Sequence, residues 1–476
     1  MLFRQIIVVL ALLSSMGCVS HSRVDGEATF IDNLKFPALD FSINYPQKFK
    51  LNNGIQVYFK QDSELPLLDV SVVVAAGKVG VPNKNSGVAE LLASILRSGG
   101  AGQWDADQLD QHLEDLAADL RVTSDAYSTS FDLSLLSEDA VAGLELLSAM
   151  VRQPRFAQSR FAVARQQLLE SIRRRGDNSA HLAQMLMMSQ LYADHPLANY
   201  PTQHSVAGLT VDSLKQQYEH FFSPTNTRIV ISGAITQEQA RSLLEHSFGD
   251  WQAVAAQQII PPQAEPAVGG TLLIDRPIPQ TTVMLVQLGI EKNNPDLYAV
   301  QVMNYILGGG GFSSRLMREI RSNRGLAYSV YSYYSVGRRL KGPFIACCET
   351  KNSAVAEVVG LLRQEMELIR EHQVTPQELN QAKESLVNSF VFAFDDSHAL
   401  AKRIMEQDMY DYPPRYLEEY RQRIQAVSVE DVQRVARKYL NLKEQTLILI
   451  GDKQQLQPSL QTLGGTVTEV ALDSLM

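Results

Sequence analysis

The residues that could do chemistry begin with Glu90, Ala93 and Ser94, in the stretch NSGVAELLASILRSGG from Asn85 to Gly100. Val88, Leu91, Leu92, Ile95 and Leu96 recur at helical spacing and Gly99-Gly100 closes the run, which predicts one amphipathic helix. Glu90, Ala93 and Ser94 then share one face. Two histidines and a glutamate at those three positions would grip zinc and take a proton from its water. This helix has none of the three, and the 9 histidines of the chain form no H-x-x-x-H pair.

Two other groups invite a chemical reading and lose it. The four glycines Gly308 to Gly311 are followed by no Lys-Ser/Thr, so they make no phosphate loop. Phe312-Ser313-Ser314 reads as a fresh helix cap, and the glycines as a turn joining two helices. Of the 3 cysteines, Cys18, Cys347 and Cys348, the last two are strand neighbours in GPFIACCET. They point to opposite faces and cannot pair comfortably with each other. Neither a disulfide framework nor a thiolate zinc site is available.

The elements that position these residues repeat. LTVDSLKQQYEHFFSPTNTRIVISGAI and VSVEDVQRVARKYLNLKEQTLILIGDK each run as capped helix, polar turn and apolar strand ending in Gly. Thr210 corresponds to Ser428 and Gly233 to Gly451, an offset of 218 in both cases (428 − 210; 451 − 233). DVSVVVAAG before the first helix matches TTVMLVQLG before AVQVMNYILGGGG, with Gly77 and Gly289 offset by 212 (289 − 77). The chain is a duplicated unit of strands and helices. Strands such as NGIQVYFKQD, LRVTSDAYSTSFDLSLLS and YSVYSYYSVG do not follow βαβ order, which predicts α+β layers and not a doubly wound sheet.

A chain of 476 residues with 45% hydrophobic content is long enough for two to four domains and can bury sizeable cores. Its net charge of -9, with scattered basic residues, argues against a nucleic-acid partner. The N-terminus MLFRQIIVVLALLSSMGCVS has the layout of a secretory signal. Its apolar run is too short to span a bilayer, and no later run is a membrane helix.

The order of segments from about Asn44 to Lys453 resembles the pitrilysin/insulinase family of zinc peptidases, above all its bacterial two-domain members and the mitochondrial processing peptidase. Those enzymes carry H-x-x-E-H on the opening helix. The resemblance places the first His at Glu90, the general-base Glu at Ala93 and the second His at Ser94. Glu170, 76 residues past Ser94 (170 − 94), resembles the third ligand. Carboxylates alone do not make a tight zinc site, so the resemblance implies a degenerate one and no cofactor in this chain.

The second half keeps what the first has lost. In GGGGFSSRLMREIRSNRGLAYSVYS, Arg321 and Tyr328 match the family's Arg/Tyr pair, seven residues apart (328 − 321), which the resemblance implies hydrogen-bonds the substrate's carbonyl. A guanidinium and a phenol suit that task, because they donate without changing protonation state. His195, in YADHPLANYP, resembles the family's His-Pro-Tyr loop and is read as structural. Ser15 to Cys18 resembles a bacterial lipoprotein box, with Cys18 the acylated residue.

The expected organisation is a signal and lipobox over 1–18, a tether over 19–43, a first peptidase-like domain over 44–252, a linker over 253–270, a second domain over 271–455 and a tail over 456–476. Each domain is expected to be a mainly antiparallel sheet packed with helices, the two forming half of a clamshell. Some members of the family are heterodimers in which one subunit brings zinc and the other the Arg/Tyr pair. By that resemblance the chain is the zinc-free subunit of an exported peptidase, with a zinc-bearing partner, unfolded peptides as substrate, and a periplasmic, outer-membrane-anchored location. A clamshell scaffold, or a peptide-binding protein that does not cut, is the alternative.

Overall fold

The computed structural model describes residues 43–253, 269–394 and 396–475; Cys18 with its lipobox, nearly all of the tether and most of the linker lie outside them. Twelve strands are formed among the described residues. They are β1 (Gln47–Lys50), β2 (Gln56–Gln61), β3 (Leu67–Val74), β4 (Asp119–Ser124), β5 (Thr129–Leu136), β6 (Thr227–Gly233), β7 (Thr271–Asp275), β8 (Gln280–Leu288), β9 (Ala327–Tyr334), β10 (Pro343–Lys351), β11 (Thr446–Gly451) and β12 (Val467–Glu469). Seven helices cover these strands or carry candidate residues: α1 (Val88–Ser98), α2 (Gln158–Arg173), α3 (Ser179–Tyr192), α4 (Val211–Phe221), α5 (Leu297–Asn304), α6 (Ser397–Met409) and α7 (Val429–Tyr439).

The strands make two six-stranded sheets, ordered β1-β2-β6-β3-β5-β4 and β12-β7-β11-β8-β10-β9. Five strands of each run in the same order. Both sheets are mainly antiparallel, with β2–β6 and β7–β11 the equivalent parallel pairs. They differ at one rim, where β1 joins β2 antiparallel and β12 returns from the C-terminal segment to join β7 in parallel. The expected α+β fold of two homologous halves is what the chain adopts.

The repeated glycines have a steric cause. Gly233 has φ +144° and lies against the backbone of Leu67 and Leu68, while Gly451 lies against the side chain of Thr281, so a Cβ at either would collide. Each closes the strand that follows a capped helix, α4 or α7, and the Ser or Thr at offset 218 caps that helix by accepting a bond from the third backbone N–H.

The central strands of each sheet are buried on both faces. Val70, Val72 and Val74 of β3 pack outward against Leu91, Leu92 and Ile95 of α1 in one core, and Val283, Leu285 and Cys348 join Val300, Val302 and Met303 of α5 in another. The opposite faces are covered by exchange. Leu182, Ala183 and Leu186 of α3 pack on Ile274, Met284, Cys347 and Ile448 of the second sheet. Leu400, Ile404 and Met405 of α6 pack on Tyr58, Val73 and Val230 of the first. The two helices begin at residues 218 apart (397 − 179) and are capped by Asn178 and Asp396. Each half therefore lends its equivalent helix to the other's sheet. Cys347 and Cys348 fall in different cores, both buried and free, as the strand alternation requires.

A polar seam runs beside the contacts of α6. Ser71 Oγ donates to Asp132 at 2.5 Å, and Lys402 reaches the same carboxylate oxygen at 2.5 Å. With its one proton so used, Ser71 must accept from His398 Nε2 at 2.9 Å, leaving Nδ1 to accept from Ser232 at 2.8 Å. Burial holds the imidazole below its ordinary pKa against the pull of Asp69 and Asp132.

Candidate functional site

The sequence places two candidate centres, and the fold treats them differently. The first is a cleft of about 590 Å³ between α1, α2 and β4. Its α1 wall is Glu90, Ala93 and Ser94, so the predicted shared face exists. The helix that forms this wall starts after Gly87, which has φ +104°, and ends at Gly99. Its buried residues include Leu91, Leu92, Ile95 and Leu96, which pin the opposite face to the sheet. Ala93 is itself only 5% exposed, a position a carboxylate would have to be desolvated to occupy. The facing wall is Val122 to Ser124 of β4. That strand is the sheet's edge; Arg97 Nε already donates to its Leu120 carbonyl at 3.0 Å, and Val122 to Ser124 beyond it line the cleft, where an extended chain can pair.

The residues around Glu90 do not fit zinc. The α2 wall of the cleft is Arg160, Val163, Ala164 and Gln167. Glu170 stands a turn further on, exposed, with its carboxylate 3.4 Å from Arg173. Lys78 and Arg175 both act electrostatically on Glu90. Burial lowers the Lys78 ammonium's pKa, and Glu90 and Asp125 pull it back up. Arg175, also lowered by burial, donates to the Leu475 carbonyl at 2.7 Å. A cleft lined by one carboxylate, hydroxyls and the cations Arg97 and Arg160, with Lys78 and Arg175 nearby, has neither the soft donors nor the net charge a zinc ion needs. Among the described residues no group of three or more His, Cys, Asp or Glu could hold a metal.

The second centre grows from α5. Asn304, at its end, and Ser332 of β9 exchange hydrogen bonds of 2.8 and 3.3 Å. Gly308 lies so close to the Ser332 backbone that no side chain fits there. Of the four glycines expected to form a turn, Gly308 and Gly309 still belong to the π turns over Tyr305–Gly309 that end the helix, and Gly310 and Gly311 make the turn, with Gly311 at φ +58°. Ser314 differs from the cap expected of it: its hydroxyl donates back to the Gly311 carbonyl at 2.7 Å and tightens the turn instead. The helix beyond it widens into π turns over Met317–Asn323, a distortion often found at functional sites. Arg321 sits on this wide turn.

Four arginines follow one another at spacing three: Arg315, Arg318, Arg321 and Arg324. Arg315 forks onto both oxygens of Glu378 at 2.8 and 2.9 Å, and Arg318 lies 3.9 Å from the same carboxylate. Burial pushes the Glu378 carboxyl up, but Arg315 and Thr375 outweigh it and bring its pKa down to about 2. Arg324 bonds Glu319 at 2.8 Å and Glu357 at 3.2 Å. Arg321 alone has no carboxylate among the described residues. Its guanidinium carbon stands 4.6 Å from the centre of the Tyr328 ring and 4.5 Å from that of Phe312. The rings take none of its N–H donors in conventional hydrogen bonds. Tyr328 is 83% exposed, so its hydroxyl also faces solvent.

The sequence-predicted residues thus form two groups. Arg321 and Tyr328 are brought into contact with open donors, and Glu90, Ala93 and Ser94 share a cleft whose walls also carry Arg97 and Arg160. His195 is buried, and its Nδ1 accepts the Leu197 backbone N–H at 3.0 Å, which caps the turn Pro196–Ala198. Sequence reasoning missed Phe312, Lys78, Arg175 and Glu378. For Phe312 a signal existed, an aromatic at the end of a glycine run with no helical apolar face to join.

The profile of the insulinase family (peptidase family M16) matches residues 57–203, and that of the peptidase M16 inactive domain matches residues 208–386. An uncharacterized zinc protease of Streptomyces coelicolor is 29% identical over 342 residues, covering 70% of this chain and 73% of the relative. The non-peptidase homolog YmxG of Helicobacter pylori is 24% identical over 413 residues, covering 84% and 93%. Among solved structures, a peptidase M16 inactive domain from Pseudomonas fluorescens superposes with TM-score 0.78 at 28% identity, over 86% of this chain and 98% of that one. A Helicobacter pylori protease at 18% identity and TM-score 0.75, over 86% and 100%, shares the fold.

Proposed function

The chain belongs to peptidase family M16, and we propose that it serves there as a zinc-free subunit, lending Arg321 and Tyr328 to a partner of the same family that carries H-x-x-E-H. The observation that carries this reading is the contrast among four neighbouring arginines. Arg315 and Arg324 are hydrogen-bonded to carboxylates and Arg318 lies 3.9 Å from one, while Arg321 is held by aromatic faces with its donors open. A guanidinium and a phenol at one exposed spot can bind a peptide carbonyl and stabilise the negative charge that grows on it during hydrolysis. The donor set around Glu90 offers no metal-bound water and no general base at Ala93, so the chain would not cut peptides by itself. The name non-peptidase homolog, given to the Helicobacter pylori relative, agrees with that.

The Val122 to Ser124 edge of β4 beside the α1 cleft suits an extended, unfolded peptide as the ligand. The N-terminal sequence supports export, with Cys18 as the lipid-bearing residue and a periplasmic, outer-membrane-anchored protein as the outcome. A Cys18→Ser variant should then leave the membrane fraction. The assembly is tested by isolating the chain from membranes and analysing what accompanies it. A family member with H-x-x-E-H and bound zinc is expected; recovery of the chain alone, in full yield, would favour a scaffold or a peptide-binding protein that does not cut.

A further inference from the structure

Phe312 is 69% exposed at the tip of the glycine turn, where burial rewards it little. What it does contact is the one arginine in the segment that no carboxylate holds, at 4.5 Å from ring centre to guanidinium carbon. Tyr328 flanks the same guanidinium at 4.6 Å. An arginine side chain on a surface has many rotamers, and a carbonyl that captures it must first select one. Carboxylate neighbours would fix the rotamer but would consume the donors, as they do for Arg315 and Arg324. Aromatic faces fix it without consuming them.

Resting on the proposed role of Arg321, we infer that Phe312 is its positioning residue, holding the guanidinium ready for a peptide carbonyl while leaving its N–H groups free. The turn is built for this. Gly308 is pressed against β9, the strand that carries Tyr328, and Gly311 adopts a φ of +58° just before Phe312. The backbone therefore brings position 312 back toward the start of β9. Phe312 acts only through Arg321, so its contribution must disappear when the guanidinium is removed.

The test uses the chain reconstituted with its co-isolated zinc-bearing partner and a fluorescence-quenched unstructured peptide. Phe312→Leu, which keeps apolar bulk and loses the ring face, should lower kcat/KM about two- to five-fold, the worth of one exposed cation–π contact. Phe312→Tyr should restore wild-type turnover. In an Arg321→Ala background the same Phe312→Leu change should have no further effect. A drop of equal size in both backgrounds would mean a structural role and overturn the inference. An unchanged Phe312→Leu enzyme beside a crippled Arg321→Ala enzyme would also overturn it, with the role of Arg321 intact. If Arg321→Ala itself is silent, the functional reading fails and the inference falls with it.

Discussion

The two halves share a strand order and a helix pattern, yet they hold their polar residues in opposite ways. In the first half, Glu90 has Lys78 and Arg175 acting on it, and Glu170 lies against Arg173. The cleft is intact, but its carboxylate stands among cations, with Arg97 and Arg160 on the walls and Lys78 and Arg175 within electrostatic reach. In the second half, the carboxylates Glu319, Glu357 and Glu378 are assigned to Arg315, Arg318 and Arg324 and pass over Arg321. A polar group that binds nothing from outside is best satisfied from within, because an unpaired charge near a low-dielectric surface is costly. The open N–H donors of Arg321 therefore mark a place where an acceptor from outside can bind, whereas the first half offers acceptors set among cations and, among its described residues, no such donor pair.

The sharpest way to break that comparison is to remove the open donors. In the reconstituted pair, Tyr328→Phe should lower turnover by roughly 10²–10³, the usual loss for one oxyanion donor. Folding should be unchanged, since the ring that flanks Arg321 remains. Arg321→Ala should act similarly, and the double variant should fall short of the product of the two, because both residues serve one carbonyl. Steady-state peptide hydrolysis reads all three.

Glu378 gives a smaller effect of a different kind. Its folded-state pKa of about 2 lies below the ordinary 4.5, so its contribution to stability is present above about pH 4.5 and is lost as pH falls toward 2. Glu378→Gln should therefore lower stability at neutral pH by about 1–2 kcal/mol, discounted for partial exposure, and weaken the acid dependence of unfolding. Thermal melts at pH 7 and near pH 3 would show the variant and wild type converging at the lower pH. Curves that coincide at both pH values would mean that the fork from Arg315 contributes nothing, and a constant offset would mean that the loss does not come from the ionised carboxylate.

The smallest effects belong to the first half. Glu90→Gln and Glu170→Gln should each leave peptide turnover of the pair within two-fold and stability within about 0.5 kcal/mol, as for surface substitutions away from a working site. A loss approaching that of Tyr328→Phe in either would mean that the α1 cleft still takes part in the reaction, and the contrast between the halves would fail.

Much of this was legible in the sequence because it is local. The apolar spacing of Val88 to Leu96 fixed α1, the alternation in GPFIACCET sent Cys347 and Cys348 into separate cores, and the offset of 218 paired the caps and glycines of the two halves. The exchanged helices α3 and α6 also begin 218 residues apart (397 − 179), but no motif in either stretch singles the pair out before the fold does. Their crossing to the other half's sheet was not legible either, because nothing local distinguishes an apolar face that packs at home from one that packs abroad. The partners of the arginines were hidden for a related reason. Glu378 is 63 residues from Arg315 and Glu357 is 33 from Arg324, so only the folded chain reveals that Arg321 is the one left over.

The central claim, that the metal belongs to a partner and not to this chain, is tested most directly by counting zinc. The chain purified alone and dialysed without chelator should contain far less than one zinc per molecule and hydrolyse no unstructured peptide, while its complex with an H-x-x-E-H subunit should contain one zinc per pair. One tightly held zinc on the isolated chain would contradict it.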